Sequence, residues 1–226
     1  MDRGLSVGGV FGTAFSAFRD RAKVLVPIFL VSNLLFSAIT ALLGQAFVAV
    51  IVVNIASTAF IAFHTAVVMA VLRDRREDRP ASSAGEILAG TLPPLPVATL
   101  AGVLATLGLI GAALLLIVPA LYLLTMWAVV LPVVVVERPG VFDAFGRSRQ
   151  LVRGNGWKVF GIILLLGLIL VGISFPLVVL VGHQMGELAR RLTGALISSF
   201  TTPFAALVVG ALYYRLLDLG RPSVLE

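Results

Sequence analysis

Few side chains in this 226-residue chain have the chemistry for catalysis or ligand binding, and their placement narrows what it does. There is no cysteine, so disulfides, thiolate metal sites and thioether cofactor links have no raw material. The two histidines, His64 and His183, have no partners at metal-ligand spacing. His64 lies inside an apolar run, where an ionisable group serves either a substrate or proton path or a structural hydrogen bond. None of the 11 acids falls in the middle of such a run, which removes most ion-coupled transport and carboxylate catalysis within a membrane. No nucleophile elbow, phosphate loop, dinucleotide fingerprint or zinc-protease run occurs. A charged set interleaved with apolar residues is Glu137, Asp143, Arg147, Arg149 and Arg153, with Lys158 just beyond. The basic members are suited to phosphate groups at a membrane surface, and an enzyme would have to be built there from Glu137, Asp143 and the arginines. The leading expectation is a protein without catalytic residues, cofactor or metal.

The elements that position these groups follow from composition. The chain is 59% hydrophobic and 12% charged, with mean hydropathy +1.08, whereas soluble domains carry about 25% charged residues. Runs of roughly 20 apolar residues span a bilayer core. Six are present: Val24 to Leu43, Ala46 to Leu72, Leu95 to Ile117, Pro119 to Val136, Phe160 to Val181 and Ala195 to Leu216. They are apolar on all faces, so the fold class is an all-α, polytopic membrane protein and not a β-barrel. Only Val118 separates the third run from the fourth, which calls for a very tight turn there.

Of the 17 basic residues, all but Arg190 and Arg191 fall in segments that six spans place on one side: Arg3 to Lys23, Arg73 to Arg79, Arg138 to Lys158, and Arg215 with Arg221. Lys and Arg collect on the cytoplasmic side, so both termini are expected there, in a bacterial inner membrane. Charges at Arg19, Asp20, Arg21 and Lys23 interrupt the N-terminal apolar stretch, so no cleaved signal peptide is expected. The net charge of +6 is a topology signal and an attraction to anionic lipid; no aromatic-interleaved basic domain points to nucleic acid.

Three short segments lead into pairs of spans, which predicts pseudo-repeats over 1–80, 81–138 and 139–226, each an elbow helix plus a hairpin. The first elbow places Val7, Val10, Phe11, Ala14, Phe15 and Phe18 at intervals of three and four. The middle one starts with a capping box, Ser83 to Glu86, and stops at Pro93-Pro94. In the third, Val141, Phe142, Ala144, Phe145, Leu151 and Val152 share one half of a helical wheel, with Ser148 inside the apolar arc. Gly154-Asn155-Gly156 breaks that helix and Trp157 marks re-entry at headgroup level. On this basis Arg147, Arg149, Arg153 and Lys158 are candidates to hold lipid phosphates, and Phe11, Phe15, Phe18, Phe142, Phe145 and Leu151 are candidates to insert. The competing use of such segments is as elbows that set the tilt of the following span.

Small polar residues also recur within the spans. Asn33, Ser37 and Thr40 in the first, and Asn54, Ser57, Thr58 and Thr65 in the second, form stripes that serve as packing contacts or as a polar path. Ala101, Ala105, Gly108 and Ala112 in the third span permit close helix contact.

The stretch Trp127-Ala128-Val129-Val130-Leu131-Pro132, then Glu137-Arg138, Asp143-Ala144-Phe145, Arg147-Ser148, Leu151-Val152-Arg153-Gly154 and Trp157, resembles the membrane domain of bacterial glycerophosphoryl diester phosphodiesterases and its stand-alone relatives. Pro203-Phe204 through Tyr213-Tyr214-Arg215 is similar to it as well. In two-domain members of that family the hydrolase is a separate soluble barrel, which has no counterpart in these residues. The resemblance therefore implies a helical membrane domain and not a phosphodiesterase, with Trp127, Pro132, Glu137 and Trp157 as motif residues for structure or lipid contact. The leading expectation is a lipid-associated scaffold or accessory at the cytoplasmic leaflet. Its partners are anionic membrane lipids, with a protein partner or a second copy beside them. The alternatives are a small transporter using Asn33, Ser37, Asn54 and Thr58, with His64 nearby, and a surface lipid-modifying enzyme.

Overall fold

Backbone groups in an apolar run have no water to bond, so such runs close their hydrogen bonds within helices. The computed structural model describes residues 5–43, 47–80, 82–182 and 186–220, and among these the regular structure is entirely helical. Arg3, Ala46, His183 and Arg221 lie outside the described residues. The helices are α1 (Val7–Leu43), α2 (Phe47–Arg76), α3 (Ala84–Thr91), α4 (Leu95–Leu115), α5 (Ile117–Met126), α6 (Val130–Glu137), α7 (Val141–Val152), α8 (Gly156–Gly182) and α9 (Glu187–Gly220). Six stretches are long and apolar enough to cross a membrane: Val7–Ala41, Ile51–Arg76, Leu95–Leu115, Ile117–Glu137, Gly156–Pro176 and Leu188–Gly220. The chain is a multi-pass helical membrane protein.

The tightest part of the bundle is α1, α2 and α9. Helix α1 runs antiparallel to α2, with Asp20 against Arg75 and Phe36 stacked on Phe60, and antiparallel to α9, with Phe11 against Phe204. Helices α2 and α9 are parallel and touch at a glycine: a Cβ on Gly210 would stand 2.6 Å from Leu72 Cδ1 and 2.9 Å from Met69 Sδ. Leu25, Phe29, Val67, Val68, Leu207, Leu212 and Tyr213 fill the core between them.

The three expected elbows fold differently from one another. The first is not a separate helix, because neither glycine nor proline lies between Ala14 and Val24 and α1 continues unbroken into its span. Its small face, Val10, Ala14 and Ala17, is fully buried in the bundle. The middle elbow is α3, closed by the expected capping box: Glu86 N–H donates to Ser83 Oγ (3.3 Å) and Ser83 N–H to Glu86 Oε2 (2.7 Å). That backbone bond from Ser83 holds the Glu86 carboxyl below its ordinary pKa. The third is α7, ended by Gly154 in the left-handed region at φ +87°.

The joint between the third and fourth spans is Leu116, in extended conformation, and not Val118. Residues Leu114 to Val118 around it form a fully apolar, exposed tip, Leu114 being 82% accessible, so this hairpin turns without a polar loop.

The Gly210 contact yields a stability test. Replacing Gly210 with Leu forces α2 and α9 apart and costs about 1–3 kcal/mol, read as a lower unfolding midpoint in detergent. Gly161→Leu, on an open helix surface with nothing within 4 Å of its Cβ, leaves the midpoint unchanged.

Candidate functional site

The fourth span is broken in its middle. Between α5 and α6 the chain makes a turn over Trp127-Ala128-Val129, where Val130 N–H bonds Trp127 O (3.2 Å) instead of reaching back to Met126. Pro132 has no N–H to offer the Ala128 carbonyl, so a continuous helix would be interrupted here in any case. A carbonyl left without a donor at such a depth costs several kcal/mol, so the break needs outside partners.

Helix α7 supplies one. Its buried Ser148 hydroxyl donates to the Met126 carbonyl at 2.8 Å, which accounts for a serine in the middle of the apolar arc. Ala144, fully buried, lets α7 approach, and Phe145 packs edge-on against Trp127 with ring centroids 4.9 Å apart. On its other side the Trp127 ring lies on bare backbone: a Cβ at Gly108 would meet it at 2.7 and 2.8 Å. At the far end of α6, Glu137 accepts from Arg147 Nε (2.8 Å) through one carboxylate oxygen and from the buried Tyr213 hydroxyl (3.0 Å) through the other. Trp127, Pro132, Glu137, Arg147 and Ser148 thus form one clamp in which α7 and α9 hold both halves of the broken span.

Beside the break lies a cavity of about 580 Å³ bounded by α2, α4, the α5–α6 turn, α8 and α9. Its wall is mainly apolar, with Thr58, His64, Thr65, Thr106, Ser174, Thr201 and Thr202 as polar points and no acid or base other than His64. The hydroxyls of Thr58, Thr65, Thr106 and Thr201 donate to carbonyls four residues back in their own helices, leaving only acceptor capacity toward the cavity. Pro203, next to Thr202, withholds an N–H from the Ser199 carbonyl just as Pro132 does on the opposite wall. Gly102 admits Thr58 in direct contact.

His64 sits in an aromatic box rather than beside ions. It stacks on Phe29 (4.0 Å, 18°), meets Phe60 edge-on (4.1 Å), and its Nε2 pairs with Ser32 Oγ at 2.9 Å. Because Ser32 also donates to Phe29 O (3.1 Å), the consistent arrangement has Nε2–H donating to Ser32. Nδ1 is then a buried acceptor without a hydrogen-bond partner.

The remaining sequence candidates separate. Asn33 is buried and donates to Phe29 O (2.7 Å), Ser37 is half-buried, and Asn54 faces outward, so of the two polar stripes only Thr58 and Thr65 reach the cavity. Of the residues expected to insert into lipid, Leu151 is buried, Phe145 packs on Trp127, and Phe11 and Phe18 lie half-buried against the core. Phe15 and Phe142 are exposed, as is Trp157 at 87%. The apolar face of α7 is turned to protein because the broken span needs it. Arg147 is committed to Glu137, whereas Arg149, Arg153 and Lys158 are exposed. The Ala101 stripe packs as small residues allow, with Ala101 and Ala112 buried and Ala105 on the cavity wall. Among the described residues no three His, Asp or Glu side chains gather as metal ligands.

Tyr213, Thr106, Ser174, Thr201 and Thr202 were not singled out from the sequence for this site. Single hydroxyls in apolar helices carry no distinctive spacing; the readable signals are Ser148, misplaced in an apolar arc, and Thr58 and Thr65 in their stripe. Compared with family models, curated proteins and solved structures, the chain matches none.

The clamp makes a sharp prediction. Ser148→Ala leaves the Met126 carbonyl without its donor and lowers stability by about 1–3 kcal/mol, measured by denaturant titration in detergent. Ser16→Ala, whose hydroxyl bonds only a carbonyl of its own helix and Arg75, changes it by less than about 0.5 kcal/mol.

Proposed function

We propose that this chain is a non-enzymatic, lipid-handling protein of the bacterial inner membrane that holds the apolar part of a membrane amphiphile in the cavity beside the broken span. The observation that carries this reading is the cavity itself: about 580 Å³ at the break, apolar in most of its wall and dotted with hydroxyl acceptors. Sites of that kind, where irregular backbone lines a cavity within the membrane, are where helical membrane proteins receive ligands. Lipid chains fit an apolar wall, and the scattered acceptors suit a hydroxyl or glycerol group.

The excess of Lys and Arg at one end supports a cytoplasmic orientation for that end and for both termini. Exposed Arg149, Arg153 and Lys158, with Phe142 and Trp157 beside them, then form a rim that meets anionic headgroups. The likeness of the clamp residues to the membrane domain of glycerophosphoryl diester phosphodiesterases points the same way, toward lipid rather than toward an ion. On this reading the three units 1–80, 81–138 and 139–226 supply hairpins to one bundle, and a partner that carries out chemistry docks at the cytoplasmic leaflet.

A photoreactive phospholipid with a diazirine on its acyl chain tests the reading in nanodiscs. Crosslinks are expected on α2, α4 and α9 around Thr58, Ala105 and Ala206, and Ala206→Phe, which fills the cavity, removes them while leaving the unfolding midpoint intact. Crosslinks confined to the outer, lipid-facing surface would end the proposal.

A further inference from the structure

The basic end of the bundle contains a second cavity, separated from the clamp by the Tyr213–Tyr214 pair, whose ring centroids are 5.2 Å apart. It measures about 270 Å³ and lies between α1, α2 and α9, lined by Thr13, Leu72, Arg75, Arg76, Ala211, Tyr214, Arg215 and Asp218. Three arginines from two helices converge on one small space. Self-repulsion would scatter them unless something held them.

Two are held by carboxylates. Arg76 is paired with Asp218, one arm at 3.1 Å, and its guanidinium stands 5.0 Å over the Tyr214 ring. Arg75 reaches Asp20 at 3.4 Å and Ser16 Oγ at 3.4 Å, both on α1. Each guanidinium has five N–H donors, so one carboxylate partner leaves others free. The third, Arg215, has no carboxylate within salt-bridge distance among the described residues.

The surroundings of Arg215 increase the local positive potential. Its Nη2 lies against Gly9, 3.6 Å from where a Cβ would be, in the first turn of α1. That turn contains no acidic residue, and a helix N-terminus carries about half a positive charge. Its Gly9 N–H is capped by the neutral Ser6 Oγ at 3.2 Å, and a cation packed beside a helix N-terminus becomes favourable once an anion sits between them. The cavity floor, Leu72, Ala211 and the Tyr214 ring, is apolar and continuous with the spans.

We infer that this cavity is a binding site for a phosphate group, with Arg215 and the outward donors of Arg75 and Arg76 as its ligands. An anionic phospholipid headgroup is the source that the apolar floor favours: the phosphate meets the arginines and the glycerol lies on Leu72 and Tyr214. Basic pockets between transmembrane helices recognise headgroups by this combination. Asp20 and Asp218 orient the two arginines without neutralising the third. The inference is independent of any ligand in the larger cavity, from which it differs in wall chemistry and in the helices that frame it.

The test is lipid retention by the full chain, purified from nanodiscs of mixed phosphatidylglycerol and phosphatidylethanolamine and followed by native mass spectrometry. Arg215→Gln is expected to weaken phosphatidylglycerol binding about fivefold, with phosphatidylethanolamine unaffected, and Arg215→Lys to restore part of it. Arg19→Gln removes a charge from the same end outside the pocket and leaves binding at the parental level. Should Arg19→Gln weaken binding as much as Arg215→Gln, or neither weaken it with no phosphate response in the second arm, the site is lost and only diffuse attraction remains. A parallel arm adds inorganic phosphate and reads the unfolding midpoint. A phosphate-dependent rise that Arg215→Gln abolishes, with lipid retention unchanged, keeps the site and assigns it to a soluble phosphate.

Discussion

The structure depends on how one interrupted helix satisfies its backbone within a membrane. The fourth span breaks at Trp127-Ala128-Val129, and a hydroxyl from another helix, Ser148, takes up the Met126 carbonyl. Once that bond is required, much else follows. Helix α7 must lie against the bundle, so its apolar face is spent on protein. Ala144 must be small, Phe145 must reach Trp127, and Gly108 must leave its backbone bare for the indole. Glu137 then serves as the other fixed point, tied to Arg147 on α7 and to Tyr213 on α9.

This clamp divides the bundle into two parts with different physical character. On one side α1, α2 and α9 pack through small residues, as at Gly210, and open only at their basic end. On the other, the larger cavity opens beside the break and Pro132. Packing helices in lipid gains little from apolar burial alone, because lipid tails are as apolar as leucine. A cavity there is tolerable where lipid can fill it, which is the physical basis for reading it as an amphiphile site.

His64, at the border of the two parts, illustrates how the bundle handles a polar group. Phe29, Phe60 and Phe63 surround the ring and Ser32 takes Nε2–H, so the imidazole ties α2 to α1 and does not face ions. The Arg-rich end works by the opposite principle. There Asp20, Asp218 and Glu137 each hold an arginine in a set place, and ion pairs align helix ends that would otherwise repel.

Much of the architecture was legible in the sequence because hydropathy and helix signals are local. Six apolar runs required six membrane-crossing helices, the Ser83 to Glu86 box set the start of α3, and Gly154 to Gly156 set the end of α7. The first amphipathic segment is not legible for an equally local reason: such a face looks the same whether lipid or protein covers it, and only the packing of α1 in the bundle makes Val10, Ala14 and Ala17 core. The same ambiguity hid the fate of Phe145 and Leu151. The turn falls at Leu116 and not at Val118 because α4 ends at Leu115, with no polar residue to mark the place. By itself, then, the sequence determined that the chain is helical, that it crosses a membrane several times, and which end is basic, since these depend on runs and counts. The tertiary structure decided where the broken span finds its hydrogen bonds and which arginines share a cavity, because those depend on side chains far apart in the chain meeting in space.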